Sequence, residues 1–186
     1  MHISIKMKTK INEKILIPEG IICEYESGIL KCKKGSSETV RKIELRQTDL
    51  KIKNNEIVLE CKKGNKNNFK IIKSAVAHIN NMLNGLEEKF VYKLEACNVH
   101  FPITMKIDSG KLVITNFLGE KTPRIAKIFP GANVEIKGPQ ITITSHDREA
   151  AGKTAANMEK ATKIKARDRR IYQDGIFITS KPGRKM

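Results

Sequence analysis

Hydrophobic and polar positions alternate in short runs along the first sixty residues, and turn residues separate the runs. Ile21–Tyr25 and Ile29–Lys33 flank a turn that contains glycine. Leu50–Lys53 and Ile57–Cys61 flank a pair of asparagines. A period of two indicates half-buried strands, and a short connection rich in Gly or Asn indicates a hairpin. The pattern therefore predicts two β-hairpins in this part of the chain.

The period then changes to that of an amphipathic helix. Apolar residues three or four positions apart run through the stretch from Asn67 to Leu83, and they are Phe69, Ile72, Val76, Ile79, Met82 and Leu83. This spacing places one side chain per turn on the same helix face. Gly85 follows the last of them, at a position where glycine commonly ends a helix. We predict one helix that ends at Gly85.

The strand pattern begins again after this helix. The predicted elements are a strand over Phe90–Ala96, a hairpin of Phe101–Ile107 with Leu112–Thr115, an alternating run over Arg124–Phe129, a hairpin of Val134–Lys137 with Ile141–Thr144, and a helix from about Arg148 to Lys160. Strands and helices thus recur in the same order in both halves of the chain.

The two halves match in sequence at an offset of 84 residues. Ile17 with Pro18 falls on Phe101 with Pro102, and Gly35 falls on Gly119. We infer an internal duplication, because fixed-period self-similarity is the signature of repeated units. The predicted fold is α+β: two similar small units, each an antiparallel β-sheet covered on one face by a helix. We place the units at residues 1–86 and 87–180, followed by a basic tail at 181–186.

Charge is the strongest functional signal in the composition. Lys and Arg outnumber Asp and Glu by 36 to 20, for a formal net charge of +16. Residues 151–186 hold ten cations and three acids, and six of those cations lie within the eleven residues Lys160–Arg170. Tyr172 and Phe177 lie close to this run. Dense cations with planar side chains among them favour a polyanion with exposed bases, which is RNA, over an ordinary solvated face.

Other chemistries find little support in the sequence. Gly152-Lys153-Thr154 lacks the preceding glycine of a phosphate-binding loop, because that position is Asp147. The four cysteines and four histidines show no metal-ligand spacing, and Ser145-His146-Asp147 are adjacent, so they cannot form a catalytic relay. We therefore predict no enzyme activity, no metal, no cofactor and no small-molecule substrate. Without a membrane-length apolar run or a secretory signal, a cytoplasmic protein with reduced thiols is expected.

Four stretches resemble a known family. They are Leu16-Ile-Pro-Glu-Gly20, Val99-His-Phe-Pro-Ile103, Asn116-Phe-Leu-Gly-Glu-Lys121 and, most specifically, Arg167-Asp-Arg-Arg-Ile-Tyr-Gln-Asp-Gly-Ile-Phe177. From about Ile15 to Lys181 the chain is similar to the universal large-subunit ribosomal protein called L-six in bacteria and L-nine in eukaryotes. The last two stretches resemble its archaeal and eukaryotic branch.

This resemblance implies two α+β units from an ancient duplication and a place in the large ribosomal subunit, near the stalk base and the sarcin–ricin loop. The implied partners are large-subunit rRNA and neighbouring ribosomal proteins, without a membrane. Most rRNA contacts in the family belong to the second unit.

The expected role is structural: binding and stabilising folded rRNA in the cytoplasmic ribosome. The expected RNA-contact residues are Lys121, Arg124, Lys153, Lys160, Lys163, Lys165, Arg167, Arg169, Arg170 and Tyr172. Tyr172 or Phe177 could stack on a splayed base, although Tyr172 could equally be a lid on the core. The basic loop Lys62–Asn68 could touch RNA or be a solvated loop. The alternative functions are an RNA-modifying enzyme and an RNA-binding regulator or chaperone outside the ribosome.

Overall fold

The computed structural model describes residues 9–43, 45, 48–53, 55–99, 101–168 and 170–185. The chain divides into two compact units between Glu88 and Lys89. Both units combine a long helix with sheets in which every described strand pair is antiparallel. The α+β class expected from the sequence is therefore confirmed.

The first unit contains two three-stranded sheets and one helix. One sheet has the strand order β1-β6-β5, and the other has the order β2-β3-β4. The elements are β1 (Thr9–Leu16), β2 (Ile22–Glu26), β3 (Ile29–Lys34), β4 (Ser37–Lys42), β5 (Asp49–Lys53), β6 (Glu56–Gly64) and α1 (Lys66–Glu87).

The second unit contains a three-stranded sheet of order β10-β9-β8 and a five-stranded sheet of order β11-β12-β7-β13-β14. A single 3₁₀ turn over Phe117–Gly119 precedes β10. The elements are β7 (Phe90–Cys97), β8 (Thr104–Asp108), β9 (Lys111–Thr115), β10 (Arg124–Lys127), β11 (Asn133–Lys137), β12 (Gln140–Ser145), α2 (Arg148–Ala161), β13 (Gly175–Lys181) and β14 (Arg184–Lys185).

Each helix contacts strands of both sheets in its own unit, and each unit has its own apolar core. In the first unit, Ile72 and Ile79 of α1 are fully buried in the same core as Leu30 and Leu59. The expectation of a single sheet under each helix was thus wrong. Both strand sets expose a polar face and bury an apolar one, and period-two alternation does not reveal which hairpins join into one sheet.

Helix α1 begins where the sequence predicts but does not end at Gly85. The side chain of Asn65 caps its first turn by accepting hydrogen bonds from the backbone N–H groups of Asn67 and Asn68, both at 2.9 Å. Gly85 is buried within the helix, and the helix continues to Glu87. Leu86 explains the difference, because it is also buried and extends the apolar stripe by another turn.

Strand β13 places the last part of the second unit in the middle of a sheet. Ile176 pairs with Ala96 and Ile178 with Leu94 on β7. Ile176 is fully buried, as an inward position of a central strand requires. The backbone of β14 pairs with the end of β13, so residues 181–185, expected as a tail, form a hairpin.

Candidate RNA interface

The charged run predicted from the sequence begins in the last turn of α2 and continues as an irregular connection to β13. We call residues 160–172 the basic segment. Its described cations are all exposed, and they are Lys160, Lys163, Lys165, Arg167 and Arg170. Arg169 lies outside the described residues. Near its end the segment forms a turn, in which the backbone carbonyl of Asp168 accepts from the N–H groups of Ile171 and Tyr172 at 3.2 and 2.9 Å.

Arg124 joins the basic segment to the rest of the unit. Its Nε and Nη2 atoms donate to Oε2 and Oε1 of Glu120 at 2.8 and 2.6 Å. Its Nη1 atom donates to the carbonyl oxygens of Ala161 and Lys163 at 3.0 and 3.3 Å. The guanidinium carbon lies 4.2 Å from the centroid of the Phe117 ring. All three guanidinium nitrogens therefore already bond to groups of the protein.

The pairing with Arg124 also changes the acidity of Glu120. The hydrogen bond from Arg124 holds the pKa of the Glu120 carboxyl below its ordinary value, and the charges of Arg124 and Arg167 act in the same direction. Glu120 therefore stays ionised over a wider pH range than an isolated glutamate, which keeps the pair intact in mildly acidic solution.

A cleft of about 760 Å³ opens beside the basic segment. Its lining combines apolar, aromatic and charged side chains from the end of β7, the end of α2 and the start of β13. The lining residues are Cys97, Val99, Glu159, Lys160, Thr162, Lys163, Ile164, Tyr172, Gln173, Asp174, Ile176 and Phe177. We call this cavity the β7–β13 cleft. Three of the predicted RNA-contact residues, Lys160, Lys163 and Tyr172, line it.

Buried hydrogen bonds hold the walls of the β7–β13 cleft in place. The hydroxyl of Thr162 accepts from the N–H of Ile176 at 2.9 Å, which ties the end of α2 to the start of β13. Asp174 is 1% exposed, and its Oδ1 atom accepts from the N–H of Val99 at 3.1 Å. Two residues that the sequence shows as ordinary polar positions thus connect three different elements.

Two aromatic side chains have defined positions at the cleft. The guanidinium carbon of Arg167 lies 4.8 Å from the centroid of the Tyr172 ring, within cation–π range. Phe177 is 45% exposed, although it lies on a central strand. The Phe177 ring covers Gly175, where a Cβ atom would lie only 3.1 Å from its Cζ. Glycine at 175 therefore leaves room for this ring to lie close to the backbone.

The other described residues of the predicted set, such as Lys153 and Lys121, do not line the cleft. Lys153 is on α2, seven residues before Lys160, which is nearly two turns and therefore the same side of the helix. Its Nζ lies 3.5 Å from Glu149 Oε2. Lys121 is exposed and directly follows Glu120.

Sequence reasoning missed several residues of the cleft. Val99 and Gln173 lie in stretches that drew attention only as parts of family motifs, and Asp174 was counted merely as an acid in a basic run. Gly119, which matches Gly35 in the first half of the chain, has φ +74, and a Cβ atom there would lie 3.3 Å from the Phe101 ring. Glycine is thus required at this position by the fold itself.

Metal binding and membrane spanning find no support in the described residues. Among them, no group of three or more His, Cys, Asp or Glu side chains could hold a metal ion. None of the helices in the described part of the chain is both long and apolar enough to cross a bilayer.

A strongly basic α+β protein, with exposed cations on one segment beside an aromatic-lined cleft, has the features of a nucleic-acid-binding protein. Comparison with known proteins identifies the family within this class. The family model described as Ribosomal protein L6 matches residues 101–175.

Two archaeal proteins match almost the whole chain, and both are named "Large ribosomal subunit protein uL6". The one from Methanobrevibacter smithii is 40% identical over 171 residues, which is 92% of this chain and 96% of that protein. The one from Methanococcus vannielii is 37% identical over 174 residues, which is 94% of this chain and 96% of that protein. The chain therefore belongs to the ribosomal protein L6 family, as the four sequence stretches predicted.

Proposed function

We propose that this protein is a structural component of the large ribosomal subunit that binds and stabilises large-subunit rRNA. The observation that carries the proposal is the 40% identity, across 92% of the chain, with a protein that is named as belonging to that subunit. The exposed cations of the basic segment supply the charge that such a role needs. The role is architectural and involves no catalysis, and the protein acts within the ribosome.

The finer parts of the proposal rest on the family resemblance and on the shape of the second unit. We place the protein near the stalk base and the sarcin–ricin loop, beside other ribosomal proteins. The second unit makes most of the rRNA contacts, through Lys121, Lys153, Tyr172 and the cations of the basic segment, including Arg169. Lysine and arginine at such positions neutralise phosphates and release counterions.

Arg124 has a different proposed role within the same interface. Because its guanidinium bonds to Glu120 and to the carbonyls of Ala161 and Lys163, we assign it as a positioning residue. It fixes the start of the basic segment, so that Lys163 and its neighbours meet the RNA in one arrangement.

We also propose that residues 1–86 and 87–180 arose by duplication of one α+β unit. In support, strand order β1-β6-β5 in the first unit parallels β7-β12-β11 in the second. The pairing of Lys53 with Glu56 recurs 84 residues later as Lys137 with Gln140.

The test is incorporation of a charge-reversed variant into ribosomes. Tagged wild-type protein should sediment with the large subunit and remain there in high salt. The variant Arg167→Glu, Arg169→Glu, Arg170→Glu should be missing from that fraction, because its reversed charges repel phosphate. Lys106→Glu, Lys111→Glu, Lys137→Glu is the matched control, because it makes the same charge change at exposed positions on β8, β9 and β11.

Two results would contradict the proposal in different ways. Normal incorporation of the arginine variant would show that the basic segment is not the main contact. Wild-type protein that stays at the top of the gradient would reject the ribosomal role and favour an RNA-binding regulator or chaperone outside the ribosome.

A further inference from the structure

The β7–β13 cleft is larger and more apolar than phosphate binding requires. Its volume of about 760 Å³ falls within the roughly 300–1,000 Å³ of pockets that hold small organic groups. Val99 at its margin is 67% exposed, and Phe177 is 45% exposed. Exposed apolar side chains beside a cluster of lysines gain nothing from a phosphate, which needs only donors and positive charge. The occupant should therefore have both an apolar flat face and negative charges attached to it.

We propose that the β7–β13 cleft receives one unpaired nucleobase of the RNA partner, which stacks on Tyr172 or Phe177 while Lys160 and Lys163 meet the phosphates on either side. This inference rests on the proposed RNA-binding function and specifies which part of the RNA enters this site. A base in an A-form helix hides its edges in a deep, narrow groove, so the base that enters must be splayed out of a helix.

The chemistry of the lining fits a nucleobase better than a protein segment. Every base has a π-face, and stacking on aromatic side chains is a main source of affinity for unpaired RNA. The Nε2 atom of Gln173 donates to the carbonyl oxygen of Arg170 at 3.3 Å, and its side-chain oxygen is an acceptor for the polar edge of a base. Of the two acids in the lining, Asp174 is buried and accepts from the N–H of Val99, whereas Glu159 is exposed beside Lys160.

The cleft is also built to keep its shape without a ligand. Thr162 and Asp174 fix two of its walls by the hydrogen bonds described above, and Gly175 holds the Phe177 ring against the backbone. Arg167 contacts the Tyr172 ring but is not part of the cleft lining, so the ring is supported from outside the cavity. A stacking surface that is already ordered loses less entropy when the base arrives.

Cys97 provides a reporter inside the cleft. This thiol is exposed and lines the cavity, whereas Cys32 and Cys61 are buried. Partial burial and the charge of Glu95 raise its pKa, so alkylation is followed in mildly alkaline buffer, where enough thiolate forms. The experiment uses the protein with the substitution Cys23→Ser, which removes the other partly accessible thiol.

The experiment measures the rate of Cys97 alkylation by N-ethylmaleimide with three probes. They are a short single-stranded RNA, a perfect duplex of the same sequence, and inorganic polyphosphate. The single strand should slow alkylation several-fold, and the duplex and polyphosphate should not. At least one of the variants Phe177→Ala and Tyr172→Ala should weaken single-strand binding by roughly 5- to 100-fold, which is the loss of one base–aromatic stack. Tyr172→Phe should retain binding.

Ile125→Ala is the matched control, because it removes an exposed apolar side chain of the same unit outside the cleft. Equal protection by polyphosphate, or full binding by both alanine variants, would overturn the nucleobase assignment. In either of those outcomes the protein should still sediment with the large subunit. If the proposed function itself is wrong, the protein should not sediment with the large subunit. A single strand that does not protect Cys97 at saturating concentration also overturns the inference.

Discussion

Arg124 has the sequence context of a phosphate contact, but its guanidinium is used within the protein. It lies three residues after Lys121, the last residue of a stretch that resembles the family, and its own contacts are Glu120, two backbone carbonyls and an aromatic ring. Arginine suits this role because its planar, rigid fork binds several acceptors at once. Arg124 thus makes contacts within the protein, whereas we propose that the arginines of the basic segment contact RNA.

We expect Arg124→Gln to lower the free energy of unfolding by about 1 kcal/mol, since it removes several charge-assisted hydrogen bonds at a partly exposed site. Hydrogen exchange at residues 161–165 should become faster, because two of their carbonyls lose a donor. Chemical denaturation and exchange mass spectrometry measure the two effects. Lys121→Gln, the same charge loss at an exposed neighbour, should change neither. Unchanged exchange in Arg124→Gln would contradict the positioning role.

Glu120→Gln tests the acid side of this pair and its pH dependence. Because the folded-state pKa of Glu120 is lowered, its contribution to stability is present above the pKa of the unfolded chain and is lost as the pH falls through the folded-state pKa. Wild type should therefore be more stable than Glu120→Gln near neutral pH. The difference should shrink as the pH falls through about 4, the ordinary range of glutamate, and should vanish only below the lowered pKa of the folded state.

Cys23 and Cys32 face each other across β2 and β3 with their Sγ atoms 2.7 Å apart, and both are free thiols. Hydrogen bonding to Cys32 lowers the pKa of Cys23, and the same contact raises the pKa of Cys32. We expect glutathione disulfide to oxidise this pair. The Cys23 thiolate attacks and releases one glutathione, and Cys32 then displaces the second and loses its proton.

Peptide mass spectrometry should find Cys23 and Cys32 linked, with the loss of two hydrogens. The variant Cys32→Ser should instead keep one glutathione on Cys23. If the wild-type protein also stops at that mixed disulfide, the two thiols are not placed for exchange in solution.

At the level of elements, hydrophobic periodicity predicted most of the fold. The hairpin turn between β5 and β6, the hairpins β8–β9 and β11–β12, and both helices form where the spacing places them. The end of α1 differs from the prediction. Gly85 was expected to end a helix, but its own burial and that of Leu86 continue the packing for another turn. A local conformational preference of about 1 kcal/mol is easily exceeded by such burial.

Strand β13 was not predicted, although Ile176 and Ile178 alternate with polar or exposed neighbours. It directly follows the basic segment, and its partner β7 is about eighty residues earlier in the chain. Long-range pairing leaves no local signal in a single sequence. The β7–β13 cleft could not be predicted for the same reason, since its walls come from three elements that meet only in the folded unit.

Helix α1 provides a test at this scale, because its first turn contains no acidic residue and depends on the Asn65 cap. Asn65→Ala should lower the free energy of unfolding of the first unit by about 1 kcal/mol, since two backbone donors lose their acceptor. Asn65→Asp should be at least as stable as wild type, because it keeps the acceptor and adds favourable charge at the helix N-terminus. Thermal or urea denaturation measures both, and equal stability of Asn65→Ala and wild type would contradict the capping role.

For the whole molecule, the uneven distribution of charge predicts how RNA binding responds to salt. Each lysine that meets a phosphate should contribute roughly 0.7 to the slope of log K against log salt for a single strand. Replacing Lys160 and Lys163 with Gln should therefore lower that slope by about 1.4. Lys137→Gln, at an exposed position on β11, should leave the slope unchanged. Fluorescence anisotropy of labelled single-stranded RNA at several salt concentrations measures the slopes, and equal slopes for all variants would contradict the assignment.

The position of β13 also has a consequence for how the protein is made. Its partner β7 is synthesised early in the second unit, but the five-stranded sheet can form only after β13 and β14 have left the ribosome that translates them. The first unit contains all its sheet partners before Glu88 and can fold while the rest is still being synthesised. We therefore expect the proposed RNA-binding surface of the second unit to form only after β13 has been synthesised, later than the first unit.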